Sequence, residues 1–455
     1  MTKPQSLINV SAIVLAAGLG TRMKSSIPKV LHQFAGRAMV NHVLSSLNEA
    51  GVTRSIVVIS EDAKGVEEAV APHPVAIQSR PIGTGDAVKA ALPLLDEDVN
   101  DVLVLYGADP LISSDTIARM IERRQAPDNP AVVVLGFRPE NTQGYGRLIT
   151  DKDGNLEAIV EDKDATPDQV RIDICNSGTM AIDGKRLKSL VSQIGNNNAK
   201  EEYYLTDIIA LAIEDGGHCV WIEGNADELL GVDTRADLAD AERLMQNRLR
   251  QRAMAGGATL IDPDSTFFCC DTEIGQDVVI GANVVFGPGV RIADNVEIKA
   301  FSHIEGATIS EGAVIGPYAR LRPGARIDRN AKVGNFVEIK NATLGEGAKA
   351  NHLSYIGDAD VGANANIGAG TITCNYDGFL KSRTEIGSGA FIGSNTALVA
   401  PVKIGDGAIV GAGSTISKDV SADDLAVTRA PQKKVDGWAK RFRADRQAKK
   451  NALKK

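Results

Sequence analysis

Residues 274–304 read IGQDVVIGANVVFGPGVRIADNVEIKAFSHI, and an aliphatic or aromatic side chain returns at every sixth place: Ile274, Ile280, Phe286, Ile292, Ile298 and Ile304. After one shorter step the beat resumes at Ile309, Ile315, Leu321, Ile327, Val333 and Ile339, and it returns at Ile386, Ile392, Leu398, Ile404, Val410 and Ile416. This period matches neither the helical repeat of roughly 3.6 nor the alternation of one long strand, but it suits a short strand and a turn wound around a prism. The spacing therefore predicts a β-helix. Gly275, Gly281 and Gly287 follow rung positions, where a tight turn would strain other residues. Asp277, Asn283, Asp294, Asn295, Asn330, Asn364 and Asp406 are expected at corners. Each coil must bury its rung against its neighbours, so the coils stabilise one another. Periodicity alone fits a purely structural solenoid equally well. Between Ile339 and Ile386, however, the beat breaks and polar and aromatic residues crowd in, so chemistry is expected there.

At 455 residues the chain exceeds one ordinary domain. A net charge of -8 argues against a general affinity for nucleic acid, and no nucleic-acid partner is expected. No apolar run approaches the roughly 20 residues that span a bilayer. The N-terminal MTKPQSLINV lacks the apolar core of a signal peptide, so a cytoplasmic protein without membrane insertion is expected. Cys175, Cys219, Cys269, Cys270 and Cys374 are scattered and odd in number, which favours free thiols over disulfides or a zinc site.

From the N-terminus, apolar runs alternate with helical patterns. Strands are predicted at 9–16, 55–60, 75–78, 101–106 and 131–137, with helices at 39–49, 63–70, 86–94 and 114–124. Such alternation predicts a doubly wound, Rossmann-like α/β sheet whose ligands sit at the carboxyl ends of the strands. Residues 234–254 contain neither Gly nor Pro and carry Leu238, Ala241, Leu244 and Leu249 among charges, which predicts a long linking helix ended by Gly256 and Gly257. The expected organisation is a nucleotide domain over 1–233, a linker helix over 234–256, the β-helix over 257–430 and a basic tail over 431–455, the tail solvated or disordered.

The first strand runs into LAAGLGTRM (15–23), with Pro28 and Lys29 close behind. Glycines at such a turn let backbone N–H groups approach phosphate oxygens, and Arg22 and Lys29 can neutralise a triphosphate. Leu15, Ala16, Ala17 and Gly18 are the candidate cradle. With these cations at this spacing, the stretch resembles the signature of sugar-phosphate nucleotidyltransferases. Further stations match in order: QSRPIGTGDAV (Gln78, Gly83, Thr84) resembles the segment that reads a pyrimidine. GYGR (Gly146), VEDKDA (Glu161) and CNSGTM (Asn176) resemble sugar-contacting segments, and NNNAKEEYYLTD (196–207) is a further match. The family's Y-G-D-x-P-L reads Tyr106-Gly107-Ala108-Asp109-Pro110-Leu111 here, so the carboxylate sits one residue late. The other metal position, usually Asn, is Asp233. Mg²⁺ prefers oxygen ligands beside phosphates, which makes Asp109 and Asp233 the candidate ligands.

Within the interrupted repeat lie RLRPG (Arg320, Arg322), NFVEIK (Glu338, Lys340), NHLSYIGD (His352, Tyr355) and ANANIGAGTITCNYDG (Asn366, Ala369, Asn375, Tyr376), followed by Ser394, Ala412 and Arg429. Acyl transfer to an amine needs a base, and histidine titrates near neutrality. His352 is the candidate, with Glu338 expected to orient or charge-stabilise its ring, and Cys374 expected to be a buried thiol. Arg322 and Lys340 are candidate clamps for a sugar phosphate. From residue 15 to 429 the chain resembles the bacterial bifunctional N-acetylglucosamine-1-phosphate uridyltransferase / glucosamine-1-phosphate N-acetyltransferase family. That resemblance implies a left-handed parallel β-helix, with Tyr355 and Asn366 on the sugar and Ala369, Asn375, Tyr376, Ser394, Ala412 and Arg429 facing acetyl-CoA or the intermediate. It implies UTP, glucosamine-1-phosphate, N-acetylglucosamine-1-phosphate and acetyl-CoA as substrates, Mg²⁺ as cofactor, a homotrimer with shared acetyl-transfer sites, and a place in cell-wall precursor synthesis. The rival readings are a monofunctional sugar-1-phosphate nucleotidyltransferase with a structural β-helix, and a scaffold without activity.

Overall fold

The computed structural model describes residues 9–52, 54–198 and 200–453; the N-terminal residues on which the leader reading rests, and the last two lysines, lie outside these. The chain divides into two compact units, one holding residues 1–252 and 268–270, the other 253–267 and 271–455.

In the first unit, β1 (Val10–Leu15), β2 (Arg54–Ser60), β3 (Val75–Gln78), β4 (Asp101–Tyr106) and β5 (Val132–Phe137) alternate with helices Met39–Glu49, Lys64–Val70, Thr84–Ala91 and Ser114–Arg124. Two short antiparallel strands follow, β6 (Arg147–Thr150) and β7 (Leu156–Val160), then β8 (Cys175–Asp183) and β9 (Cys219–Glu223). The sheet order is β9, β5, β8, β4, β1, β2, β3. Strands β4, β1, β2 and β3 run parallel, and β8 enters antiparallel between β4 and β5. The doubly wound expectation holds for the half around β1. The antiparallel insertion brings the β6–β7 hairpin beside the carboxyl ends of β1 and β4, so Asn176 and Glu161 reach the same edge. β1 is buried at every residue, as a strand covered by helices on both faces must be.

The expected linking helix spans Arg235–Ala255. Its start is fixed by a reciprocal cap: the Asp237 carboxylate accepts from the backbone N–H groups of Asp233 (3.0 Å) and Thr234 (2.8 Å), while the Thr234 hydroxyl accepts from Asp237 N–H (3.2 Å). Gly257, at φ 103°, follows its end. Asp233 is therefore held at the entrance of a capped helix.

The second unit is a left-handed parallel β-helix with three parallel sheets of ten, eight and eight strands among the described residues. Ile280, Ile298, Ile315 and Val333 stack in register on one sheet, and Phe286, Ile304, Leu321 and Ile339 on another. All the expected rung residues except Ile274 are buried. Each buried Ile or Leu contributes about 1.5–3 kcal/mol, so the column is the main stabilising element. Asp277, Asn283, Asn295, Asn330 and Asn364 adopt positive φ at corners, as expected. Asp294 and Asp406 act differently: their carboxylates accept the N–H groups of Gln276 and Ser388, each 18 residues earlier, and so tie one coil to the next.

Where a break in the repeat was expected, the winding continues through Leu344, Ala350, Ile356, Val361, Ile367 and Thr373, all inward and buried. Two effects hide it from a count of large apolar residues. Ala350 and Thr373 are small or polar, and single residues at positive φ, Asn341 and Asp358, shorten two steps. The true interruption is the excursion between Cys374 and Thr384, where Tyr376 bridges to Lys381. The tail corrects a second expectation: residues Trp438–Ala452 form an α-helix, although it is exposed throughout.

Candidate active sites

At the carboxyl ends of β1, β3 and β4 lies a cavity of about 490 Å³, lined by Leu15, Ala16, Ala17, Gly18, Lys29, Gln78, Gly83, Thr84, Tyr106, Asp109, Glu161, Asn176 and Asp233. Gly107 and Gly146 sit one step behind it: Gly107 N–H donates to the Leu15 carbonyl (2.9 Å), and the Gly146 carbonyl accepts from Asn176 N–H (2.8 Å). Two glycines make room for this arrangement. A Cβ on Gly178 would fall 2.0 Å from the Tyr106 ring, and one on Gly83, at φ 129°, would fall 2.3 Å from the Tyr203 carbonyl. Gln78 Nε2 donates to the Gly83 carbonyl (3.1 Å) and to Asp86 (2.9 Å), which leaves its amide oxygen as the group able to accept from a base edge.

The charges concentrate on one side. Asp233 accepts from Lys29 Nζ at 2.8 Å and pairs with Arg22 at 2.9 Å. Arg22 lies outside the cavity wall and Lys29 within it, so the carboxylate gathers both expected cations. Asp109 lines the same cavity and is 8% exposed. Burial pushes its carboxyl up to about 7, opposed by Lys29 and reinforced by Asp233. Burial likewise raises Glu161, against Lys200. Two carboxylates beside two cations suit Mg²⁺, which takes one or two carboxylates and completes its shell with phosphates and water; among the described residues no cluster of three acidic, His or Cys ligands exists.

The Asp109 shift sets a stability prediction. Its folded value lies above the unfolded one of 3.8, so its contribution is full below pH 3.8 and lost as pH rises through about 7. Asp109→Asn removes a buried charge without changing shape. Without nucleotide, its advantage in thermal or urea unfolding should grow by about 2–3 kcal/mol between pH 5 and 8. An advantage that does not change over that interval contradicts the burial argument.

Sequence reasoning named no individual residue in 196–207, yet Lys200, Tyr204 and Thr206 line this cavity. They arrive because Gly85 N–H donates to the Tyr203 carbonyl (2.8 Å) and Leu205 N–H donates to the Thr84 hydroxyl (3.0 Å). Their segment was legible, their orientation was not.

In the β-helix the candidates fall on one corner and the two faces meeting there. Asn335, His352, Ala369, Ser394 and Ala412 occupy equivalent places on successive coils, as shown by the ladder Leu353 N–H to Asn335 O (3.0 Å), Gly370 to His352 (3.3 Å), Asn395 to Ala369 (2.7 Å) and Gly413 to Ser394 (2.8 Å). Small residues above the imidazole leave the edge open over three coils, about 14 Å at the usual strand spacing. Arg429 donates to the Ala412 carbonyl at the far end. His352 is exposed on the single chain, and its Nδ1 lies 2.7 Å from Asn335 Oδ1. An amide oxygen only accepts, so Nδ1 carries the proton and Nε2 has the free lone pair.

Glu338, expected to orient or charge-stabilise the ring, is engaged with two arginines. Its carboxylate is taken by Arg322 (2.8 Å) and approached by Arg320 (3.9 Å), and it stacks beside Tyr355 on a different face from the histidine. Asn335, unassigned from sequence, is the ring's partner. The only clue is its place one coil of 17 residues before His352. Lys340 pairs in register with Gly357 on the Tyr355 face, and Asn366 faces outward on the histidine-bearing sheet between Lys349 and Phe391. Asn375 is buried against the Asp358 carboxylate, Tyr376 is exposed on the excursion, and Cys374 is partly exposed where a buried thiol was expected.

Residues 12–148 match the family model of the MobA-like NTP transferase domain, and residues 271–306, 306–341 and 383–418 match that of the bacterial transferase hexapeptide (six repeats). Over nearly their whole lengths, curated relatives named bifunctional protein GlmU are similar to this chain. The protein of Paramagnetospirillum magneticum is 58% identical over 97% of this chain and 98% of its own. That of Rhodospirillum rubrum is 58% identical over 96% and 98%, and that of Rhizorhabdus wittichii 56% over 98% and 99%.

Proposed function

This chain belongs to the family of bifunctional GlmU proteins, and on that premise we propose that it makes UDP-N-acetylglucosamine in two steps at the two sites described. The observation that carries the reading is that each unit presents a set of its own: cations and carboxylates around a cavity in the first, a paired histidine beside an open edge in the second.

In the β-helix, His352 Nε2 takes a proton from the amino group of glucosamine-1-phosphate as that nitrogen attacks the acetyl thioester. The C–S bond breaks, and the departing CoA sulfur takes up a proton. Asn335 keeps the tautomer that leaves Nε2 basic. The small column Ala369, Ser394 and Ala412 accommodates the extended arm of acetyl-CoA, with Asn375, Tyr376 and Arg429 beyond it. Arg322 and Lys340 hold the sugar phosphate, which displaces Glu338 from Arg322, and Tyr355 and Asn366 face the sugar.

In the first unit, a phosphate oxygen of N-acetylglucosamine-1-phosphate attacks the α-phosphorus of UTP and pyrophosphate leaves. Gln78, Gly83 and Thr84 meet the uracil edge, and Glu161 and Asn176 meet the sugar. Arg22 and Lys29 spread the phosphate charge, as positioning and neutralisation must in such chemistry. Asp109 and Asp233 would hold Mg²⁺, which when bound supplies Lewis-acid polarisation of the phosphates.

A homotrimer is part of this reading. The stacked corner column Phe301, Tyr318 and Phe336 (centroids 4.9 and 5.1 Å apart) is exposed and sits next to Asn335, so a second copy covering it would also shield the histidine. A cytoplasmic location follows from the same family reading.

Purified protein is expected to release CoA only with glucosamine-1-phosphate and acetyl-CoA, and pyrophosphate only with UTP and N-acetylglucosamine-1-phosphate. Pyrophosphate release without CoA release would favour a monofunctional enzyme on a structural β-helix.

A further inference from the structure

Arg147 opens β6 with its side chain only 1% exposed, and none of the substrate contacts falls to it. Its Nη2 donates to the Asp162 carboxylate (3.2 Å) and to the Thr142 hydroxyl (3.3 Å), and its Nη1 donates to the Tyr145 carbonyl. One guanidinium thus joins the turn that precedes β6 to the residue that follows Glu161. That turn closes on itself through Tyr145 N–H to the Thr142 carbonyl (3.3 Å), and it carries Gly144 and Tyr145 into the cavity wall.

The register shows what the clamp controls. Arg147 pairs with Val160 of β7 on one side and with Cys175 of β8 on the other, both antiparallel. One step along the same row, Gly146 therefore lies between Glu161 and Asn176. The Gly146 carbonyl accepts from Asn176 N–H (2.8 Å), and a Cβ on Gly146 would fall 3.6 Å from Glu161 Oε1. The arginine sits one rung behind the row that faces the sugar.

Two features separate this contact from ordinary core packing. A buried ion pair contributes little net stability, since apolar side chains of similar volume usually hold a core as well. Arg147 Nε is also buried without a hydrogen-bond partner among the described residues, a cost that a purely structural residue need not carry. What a guanidinium supplies and an apolar side chain cannot is a rigid planar fork that fixes several oxygens relative to one another.

We propose that Arg147 is the positioning residue of the sugar subsite: by locking the turn at 142–146 to Asp162, it sets the spacing of Gly146, Glu161 and Asn176 against N-acetylglucosamine-1-phosphate. The role rests on uridylyl transfer being the reaction of this cavity. The groups assigned to UTP are carried by other elements, the turn at 15–18 by β1 and Gln78, Gly83 and Thr84 by β3 and the helix after it. Loosening the clamp is therefore felt by one substrate and not by the other. Contacts to sugar groups remote from the reacting phosphate are alike in the ground and transition states, so their misplacement raises KM more than it lowers kcat.

The test is pyrophosphate release by the full-length protein with each substrate varied in turn. Arg147→Gln should raise the KM for N-acetylglucosamine-1-phosphate at least about tenfold, with kcat changed less than about threefold and with the KM for UTP and the rate of CoA release unchanged. Arg147→Lys keeps the charge but cannot hold three oxygens in a plane, so its sugar-phosphate KM should fall between those of Arg147→Gln and the unaltered protein. Asp162→Asn should raise the same KM about threefold, and its combination with Arg147→Gln should be no worse than Arg147→Gln alone, because both changes break one clamp. Asp162 is 28% exposed, so its variant should fold even where loss of the arginine prevents folding. A sugar-phosphate KM within about twofold of normal in Asp162→Asn and Arg147→Lys overturns the proposal, as does a parallel rise in the KM for UTP or a fully additive double variant. Absence of pyrophosphate release from the unaltered protein would instead defeat the uridylyl-transfer reading, and the clamp with it; in an active protein those results remove the clamp alone.

Discussion

Replacing His352 by alanine is expected to slow CoA release by about 10²–10⁴-fold while pyrophosphate release from UTP stays at its normal rate. The magnitude is that of a positioned general base. The selectivity follows because the histidine belongs to the β-helix and the polyphosphate-facing cations to the other unit. Asn335→Ala should produce a smaller loss, about tenfold in the kcat of acetyl transfer, because the ring loses the acceptor that selects its tautomer. Glu338→Gln should instead alter the KM for glucosamine-1-phosphate through Arg322 and leave that kcat in place. Parallel loss of both activities in a folded His352→Ala protein would contradict the assignment of separate sites.

Asp233→Ala should lower the kcat of uridylyl transfer by about 10²-fold or more and raise the Mg²⁺ concentration needed for half-maximal rate. In the free protein this carboxylate holds Lys29 and Arg22 at 2.8 and 2.9 Å. Removing it frees both cations, so the KM for UTP should hold steady or fall even as turnover collapses. That split between binding and turnover separates a metal-holding carboxylate from a merely structural one. Asp109→Ala should show the same Mg²⁺ dependence, because its buried carboxylate lines the same cavity one residue later than the family's usual position. Full activity in both variants would remove the two residues from the reaction.

The strength of each signal depended on how locally it was encoded. The β-helix was legible because one rung residue must point inward every few positions, and a side chain of the wrong type there leaves a coil unburied. The coils between Ile339 and Ile386 were misjudged because Ala350 and Thr373 fill the inward place without looking apolar enough. In the first unit the glycine turn, both cations and the capped Asp233 could be placed from spacing, since each is near a strand end or a helix start. The helix in the tail was hidden by its charge, which reads as solvated chain whether or not it is wound.

By itself, then, the sequence determined which residues repeat, which segments alternate and which side chains have the chemistry, because these depend on local period and residue type. Only the tertiary structure decided who meets whom. Coils of 17 or 18 residues set His352 beside Asn335 and Glu338 beside Arg322, and one antiparallel strand carried Asn176 and Glu161 to the edge where Lys29 and Asp233 wait. Pairings of this kind depend on accumulated register across the chain, which a single extra or missing corner residue changes, and so they cannot be counted off from any one stretch.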